Sequence, residues 1–315
     1  MCKLPTHKTK SKDKENTMEV PVVDFQQLRN KEEELKKLRE ACERCGCFRI
    51  INHTVPETLM ADMKSVAKYL HDLPVEIKTK NKPVIPESGY RPPSEISPFY
   101  EGLALYDIHK SPQAVDQFCS QLGVPPKQRK TIEAYGEAVN DLATSVSQKM
   151  AESLGVVSTD FKDWPLLFRV IKYSFNAESI GSVGIPIHTD TSFVTLLQDD
   201  DKVGGLEIMD HSGSFKAVPP QSGSFLCIIG DVGHIWSNGR FHNVKHRVLC
   251  KEATTRLSFG VFMFSPRDGK IDTPTELVDL NHPRLYRSFN YEDLRQFRVS
   301  ARGELAKFLA NVANV

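Results

Sequence analysis

Between residues 166 and 266 the sequence is divided into short runs of apolar and β-branched residues, and glycine, aspartate and asparagine recur between the runs. Such runs are typical of β-strands, and their close succession is typical of a jelly roll. Helical patterns precede and follow this stretch. The sequence therefore predicts an α+β fold with a double-stranded β-helix (jelly roll) core and flanking N-terminal and C-terminal helices.

The flanking regions contain five helical patterns, at residues 31–45, 56–70, 126–154, 291–297 and 303–312. A stretch rich in proline and polar residues, 82–98, predicts an irregular loop. The first residues contain several lysines and almost no apolar side chains, which is typical of disorder. We divide the chain into a disordered tail (1–17), a mainly helical region (18–165), the jelly-roll core (166–266) and a C-terminal helical segment (267–315).

The composition indicates an ordinary globular protein. The chain has 315 residues, of which 40% are hydrophobic and 26% are charged, so it can bury a full core. A net charge of +1 gives no electrostatic reason to expect nucleic acid or an anionic membrane as a partner. We find no apolar run of membrane-spanning length and no secretory signal, and we therefore expect a cytoplasmic protein.

Seven cysteines, an odd number, are expected to be reduced thiols rather than a disulfide framework. Cys42, Cys45 and Cys47 are close enough in sequence to suggest a metal site, but no second pair lies at zinc spacing. Cys42 and Cys45 also extend the apolar face of Leu35 and Leu38, so we favour packing in the core.

His188 and Asp190 stand two residues apart in an extended segment or a short loop between two strands. Residues two apart on a strand project from the same face, roughly 6 to 7 Å from each other, and could bind one ion. His246 lies in an alternating segment typical of a strand. Two histidines and one carboxylate leave coordination positions open, as in non-haem Fe(II) oxygenases. We therefore predict a catalytic metal site at His188, Asp190 and His246.

His234 and His242 are alternative third ligands. His242 and His246 would form a zinc-binding pair on a helix, but the turn-like sequence at 237–239 and the extended pattern after it argue against a helix. On a strand the two histidines would lie about 13 Å apart and could not share an ion. We therefore prefer His246.

Arg256 and Ser258 follow a polar turn, in what looks like the return strand of a hairpin that begins near His246. Equal parity puts the guanidinium and the hydroxyl on one face, where the arginine could hold a carboxylate by two parallel hydrogen bonds. Dinucleotide-binding, phosphate-binding and serine-hydrolase motifs are absent from the sequence. These residues indicate an enzyme with a dicarboxylate cosubstrate.

The combination of His188-x-Asp190, His246 and Arg256-x-Ser258 resembles the plant 2-oxoglutarate and Fe(II) dependent dioxygenases. The likeness extends from Val20 to about Leu309. Within the family the chain is most similar to the auxin-oxidising branch, and the motifs that carry this similarity lie at residues 99–103, 105–107, 196–200, 236–240 and 243–248. The resemblance implies that the His-Asp-His set holds Fe(II). It further implies that the distal carboxylate of 2-oxoglutarate is bound by Arg256, Ser258 and Tyr173.

The same resemblance implies the reaction. We expect an Fe(II)/2-oxoglutarate-dependent dioxygenase that uses O2, releases succinate and CO2 and hydroxylates a small organic acceptor, with ascorbate in support. Indole-3-acetic acid or a related aromatic acid is the expected substrate. Two alternatives stay open: a dioxygenase of specialised metabolism that hydroxylates, demethylates or desaturates a terpenoid, alkaloid or phenolic, and a non-catalytic metal-binding jelly roll. We expect a monomer.

Four residues are candidates for binding the substrate. In a strand over residues 168–175, Arg169 and Phe175 share a face with Tyr173, while Phe262 and Phe264 share the parity of Arg256. A pocket that combines a cation with aromatic walls suits a small aromatic acid. Alternatively, the aromatic side chains fill the barrel core and Arg169 pairs with a surface carboxylate.

Overall fold

The computed structural model describes residues 17–86, 88–108, 112–267 and 269–300. Most of the predicted tail and the predicted helix at 303–312 lie outside the described residues. Thr17, the last residue of that predicted tail, forms an isolated parallel bridge with Ala217.

The described residues contain eleven strands in two sheets. They are β1 (Val22–Asp24), β2 (Cys47–Ile51), β3 (Tyr100–Tyr106), β4 (Leu166–Ser174), β5 (Val183–His188), β6 (Val194–Gln198), β7 (Leu206–Met209), β8 (Phe215–Ala217), β9 (Phe225–Ile229), β10 (His246–Leu249) and β11 (Thr255–Met263). The larger sheet has the order β1-β2-β9-β6-β11-β4-β3, and the smaller sheet has the order β5-β10-β7-β8. Strands β4 to β11 thus form two four-stranded layers, which confirms the predicted jelly roll.

Seven α-helices accompany the sheets in the described ranges. They are α1 (Glu32–Glu40), α2 (Glu57–Asp72), α3 (Val75–Lys78), α4 (Pro112–Leu122), α5 (Pro126–Ser153), α6 (Asp231–Trp236) and α7 (Tyr291–Ser300), and a π-helical turn, Ala41–Cys45, continues α1. The predictions at 31–45, 56–70, 126–154 and 291–297 are confirmed, whereas α3, α4 and α6 were not predicted. No helix among the described residues is both long and apolar enough to cross a membrane.

Alternation along β4 separates the packed core from the space between the sheets. Phe168 and Val170 lie in the main apolar cluster with the buried residues of α2 and α5. Arg169, Ile171 and Tyr173 point the other way and line a cavity. Since successive side chains of a strand point to opposite faces, one strand contributes both to the core and to the cavity wall.

The predicted hairpin between the strand of His246 and the strand of Arg256 is wrong. Strand β10 pairs with β5 and β7 in the smaller sheet, whereas β11 pairs with β4 and β6 in the larger sheet. The polar residues 250–254 carry the chain from one sheet to the other. A local pattern indicates two strands and a turn, but it contains no information about which strands pair.

The N-terminal part of the chain also enlarges the sheet. Strand β2 pairs with β9, β1 pairs in parallel with β2, and β3 pairs with β4 at the opposite edge. The sequence patterns predicted mainly helices here, because these strands are short or, in β3, contain a glycine and an acidic residue. The additional strands bring Arg49 and Glu101 to the jelly roll.

Glu101 of the edge strand β3 is the centre of a buried polar cluster. Its carboxylate accepts hydrogen bonds from Lys78 Nζ (2.6 Å), Tyr90 Oη (2.7 Å) and His71 Nδ1 (3.2 Å). Burial raises the pKa of Glu101, but the hydrogen bonds from His71, Lys78 and Tyr90 outweigh burial and lower this pKa from 4.5 to about 2. Glu101 therefore attaches α2, α3 and the following loop to the sheet.

We predict that Glu101→Gln lowers the free energy of unfolding by about 3 kcal/mol at neutral pH, since it leaves Lys78 buried without its carboxylate partner. A carboxylate with a lowered pKa stabilises fully above the pKa of the unfolded chain, and this stabilisation is lost as the pH falls towards the folded value. Urea unfolding should therefore show the largest difference between wild type and variant near neutral pH. The difference should shrink through the acidic range below 4.5.

Glu95→Gln is the matched control, because Glu95 is exposed on the same loop. It should leave stability unchanged within about 0.5 kcal/mol. A Glu101→Gln effect that is equal at neutral and acidic pH would contradict the assigned electrostatic role.

Candidate active site

His188, Asp190 and His246 converge at one end of the smaller sheet. His188 is the last residue of β5 and pairs directly with His246, the first residue of β10. Asp190 lies two residues after the end of β5, and its Oδ1 is 3.7 Å from Nε2 of each histidine. One ligand atom from each residue lies within 4.8 Å of the others, and in the described part of the chain this is the one such cluster. The donor set matches that of non-haem Fe(II) sites.

Both imidazoles are held in the form that binds metal through Nε2. His188 Nδ1 donates to the Pro186 carbonyl (2.8 Å), and His246 Nδ1 donates to the Val244 carbonyl (3.3 Å). A carbonyl oxygen can only accept, so each Nδ1 bears a proton and each neutral ring keeps its lone pair on Nε2. The main chain thus prepares both rings for coordination.

Asp190 is buried and oriented by neighbouring hydroxyls. Its Oδ2 accepts a hydrogen bond from Thr195 Oγ1 (2.7 Å), and Thr195 Oγ1 lies 2.8 Å from Ser192 Oγ. The main-chain carbonyl oxygen of Asp190 accepts a hydrogen bond from the amide of Asp231 (2.8 Å). With Oδ2 occupied, Oδ1 is the oxygen that faces the two histidines. Thr195 was not identified from the sequence.

The alternative histidines lie elsewhere. His234, on α6, donates from Nδ1 to the Phe241 carbonyl (2.6 Å), and its Nε2 accepts from Tyr286 Oη (3.1 Å). His242 packs beside His211, with ring centroids 5.2 Å apart. Both nitrogens of His234 are used in structural contacts, and the preference for His246 agrees with the geometry.

The cysteine cluster packs in the protein interior. Cys42 and Cys47 are buried and Cys45 is half-buried, and the six cysteines among the described residues are free. Burial raises the pKa of all three thiols. A protonated thiol is a poor metal ligand, and this agrees with the predicted packing role.

Arg256, Ser258 and Tyr173 come together on the larger sheet. In the pairing of β11 with β4, Arg256 lies opposite Tyr173. The Arg256 guanidinium carbon is 5.3 Å from the centre of the Tyr173 ring, and Nη1 donates to Ser258 Oγ (3.2 Å). Arg256 is only 2% exposed, and its Nε is a buried donor that has no hydrogen-bond partner among the described residues. These groups suit a bound carboxylate, as 2-oxoglutarate would supply.

A cavity of about 600 Å3 connects the two groups of residues. Its wall includes the three metal-ligand candidates and the carboxylate-binding group of Arg256, Ser258 and Tyr173. It also includes three of the substrate-binding candidates, Arg169, Phe262 and Phe264. Segments outside the jelly roll also contribute, since Tyr90 and Arg91 of the loop held by Glu101 line the same space. A volume of this size is typical of small-molecule sites.

Three of the four proposed substrate residues therefore line the cavity. The Arg169 guanidinium carbon lies 5.4 Å from the centre of the Phe262 ring. Phe175 is different, because β4 ends at Ser174 and the Phe175 ring stacks on Tyr173 (5.6 Å between centroids) in the packed interior. Phe175 is thus not part of the cavity wall, and its role in binding the substrate stays a prediction.

Two more residues behind Arg256 were missed from sequence. Arg256 Nη2 donates to Asp199 Oδ1 (2.7 Å), and Arg49 Nη2 lies 3.5 Å from Asp199 Oδ2. A single arginine within the apolar strand of residues 47–51 was the available signal, because such a residue requires a buried partner.

Comparison with known proteins identifies the family. Residues 165–265 match the 2OG-Fe(II) oxygenase superfamily, and residues 20–104 match the N-terminal region of non-haem dioxygenases in morphine synthesis. The 2-oxoglutarate-dependent dioxygenase DAO of rice, Oryza sativa subsp. japonica, is 44% identical over 94% of this chain and 99% of its own length.

Solved structures agree with the sequence comparison. The crystal structure of the rice dioxygenase for auxin oxidation superposes with a TM-score of 0.85 at 45% identity, covering 93% of this chain and 99% of the other. A binary complex of Arabidopsis thaliana dioxygenase for auxin oxidation 1 with 2-oxoglutarate gives a TM-score of 0.80 at 48% identity, covering 84% and 100%.

The chain belongs to the 2OG-Fe(II) oxygenase superfamily. It is an Fe(II)- and 2-oxoglutarate-dependent dioxygenase, which oxidises a small organic acceptor with O2 and gives succinate and CO2.

We predict that Thr195→Val weakens metal binding about 10- to 100-fold, because Asp190 loses the hydroxyl that orients its carboxylate. Valine keeps the shape of threonine, so packing should be retained. Titration of the purified protein with Co(II), followed by its visible absorption, measures the affinity. Thr254→Val, at an exposed position, is the matched control. Equal affinity in the Thr195 and Thr254 variants would show that the hydroxyl has no part in metal binding.

Proposed function

We propose that this enzyme oxidises indole-3-acetic acid or a closely related aromatic acid. The main support is one cavity that combines the metal-ligand cluster with a cation, Arg169, and aromatic side chains, Phe262 and Phe264. A cation suits the carboxylate of such a substrate, and aromatic walls suit its ring. The likeness to the rice enzyme, which is described as a dioxygenase for auxin oxidation, supports the same substrate class.

In this proposal His188, Asp190 and His246 hold Fe(II). Arg256, Ser258 and Tyr173 bind the distal carboxylate of 2-oxoglutarate on the opposite wall. Burial raises the pKa of Tyr173, so its hydroxyl stays protonated at neutral pH and can donate to that carboxylate. Bound iron and 2-oxoglutarate together supply the oxygen activation, and the protein supplies position and exclusion of water.

The apolar part of the cavity wall limits the access of water. Its aliphatic members come from both sheets and are Leu167, Ile171, Ile185, Leu197, Leu206, Ile228 and Val248. Gly260 lies opposite Arg169 in the sheet, and a Cβ at this position would be 2.5 Å from the Phe262 ring. The glycine thus gives the Phe262 ring the space that it occupies beside the Arg169 guanidinium.

Other expectations from the sequence stay predictions. They are the cytoplasmic location, the monomeric state and the division into a tail, a mainly helical region, a jelly-roll core and a C-terminal segment.

We predict that the purified protein releases succinate only when Fe(II), 2-oxoglutarate, O2 and indole-3-acetic acid are all supplied. His246→Ala should reduce this release by at least about 1,000-fold, because two ligands hold the metal poorly. Coupled succinate measurement and mass spectrometry of the indole product test the prediction. Succinate release with a neutral terpenoid or phenolic, and none with indole acids, would refute the proposed substrate.

We predict that Arg169→Ala raises the KM for indole-3-acetic acid about tenfold or more, which corresponds to one charged hydrogen bond. The KM for 2-oxoglutarate should stay unchanged, because a different arginine binds that molecule. Arg169→Lys, which retains the charge, should show a smaller increase. If the KM for the indole acid is the same in wild type and Arg169→Ala, Arg169 does not bind the substrate.

A further inference from the structure

Arg49, Asp199 and Arg256 form a buried chain of charges behind the cavity. Asp199 Oδ1 accepts a 2.7 Å hydrogen bond from Arg256 Nη2, and Asp199 Oδ2 lies 3.5 Å from Arg49 Nη2. The three residues are 3%, 5% and 2% exposed, so water screens these charges weakly. One carboxylate thus lies between two guanidinium groups.

Arg49 approaches Asp199 from the side away from the cavity. It lies on β2, outside the four-stranded layers of the jelly roll, and it is not among the residues that line the cavity. The Arg49 guanidinium also donates from Nη1 to the Ser224 hydroxyl (3.2 Å) and from Nη2 to the Pro219 carbonyl. These contacts fix Arg49 as a partner of Asp199 and keep it from touching the cosubstrate.

The charges of the three side chains do not cancel. Arg256 and Asp199 alone would form a neutral pair, and such a pair would attract an anion in the cavity only weakly. Arg49 neutralises Asp199 from the side away from the cavity, and the three side chains together then have one net positive charge. Burial raises the pKa of Asp199 above its ordinary value, whereas Arg256, 2.7 Å from Oδ1, and Arg49, 3.5 Å from Oδ2, both favour the ionised carboxylate.

We infer that Arg49 is a positioning residue which, through Asp199, leaves the charge of Arg256 available for the distal carboxylate of 2-oxoglutarate. The inference rests on the proposed role of Arg256. When that carboxylate binds, the cluster contains two positive and two negative groups, and its net charge becomes zero. The affinity for 2-oxoglutarate should therefore follow the net charge of the cluster.

The first test removes the charge of Arg49. Binding of 2-oxoglutarate to the Mn(II)-loaded full-length protein is measured by isothermal titration calorimetry, which requires no turnover. Arg49→Gln, with a neutral cluster, should bind 2-oxoglutarate about tenfold or more weakly than wild type. Arg49→Lys keeps the positive charge and should stay within about threefold of wild type, a difference smaller than one charged interaction.

The second test restores the charge balance without restoring Arg49. The double variant Arg49→Gln with Asp199→Asn again has one net positive charge, on Arg256, and should recover most of the lost affinity. Asp199→Asn alone has two net positive charges and an amide oxygen that can still accept from Arg256, and it should bind 2-oxoglutarate at least as tightly as wild type. A merely structural role for Arg49 would not be rescued by changing Asp199.

Oxalate separates this effect from damage to the metal site, because it chelates the metal but has no distal carboxylate arm. All four variants should bind oxalate as wild type does. Thermal unfolding shows whether each variant is folded, and if Arg49→Gln does not fold, Asp199→Asn still tests the inference.

Weakened 2-oxoglutarate binding by Asp199→Asn, or wild-type binding by a folded Arg49→Gln, would overturn the inference and leave the proposed function intact. Absence of 2-oxoglutarate binding by the wild type would instead overturn the assignment of Arg256, and the inference with it.

Discussion

Antiparallel pairing of β10 with β5 sets His246 directly opposite His188, and the metal site depends on this register. A shift of one residue would turn one imidazole to the other face of the sheet. In the facing sheet, the pairing of β11 with β4 sets Arg256 opposite Tyr173 in the same way. The two registers create two walls, one with metal ligands and one with carboxylate-binding groups, and the cavity lies between them.

Side-chain chemistry and strand parity made much of this site predictable. His188, Asp190 and His246 provide a donor set with few alternative uses, and the extended pattern around His246 distinguished it from His242. Parity along β11 correctly put Arg256, Ser258 and Phe262 on one face, because a period of two residues is a local property of the strand.

The remaining features depend on contacts between distant parts of the chain. Consecutive strands usually pair, which led to the predicted hairpin of β10 and β11, but here the chain crosses between sheets. Asp199 and Arg49 are 150 residues apart in the sequence, and no periodic pattern in the sequence predicts their contact. The donors to Glu101 likewise come from two helices, α2 and α3, and from the loop that contains Tyr90. Such partners become visible only when the sheets are assembled.

The carbonyls of Pro186 and Val244 have a consequence for how this protein can evolve. They fix the tautomers of both metal-binding imidazoles, and, as main-chain atoms, they are present whatever side chain stands at those positions. Substitutions at positions 186 and 244 can therefore alter local packing without removing either carbonyl acceptor. Asp190 is different, because its carboxylate is oriented by the side-chain hydroxyl of Thr195, and a single substitution can remove that hydroxyl. Inherited loss of iron binding should thus arise more readily around the carboxylate than around the imidazole acceptors.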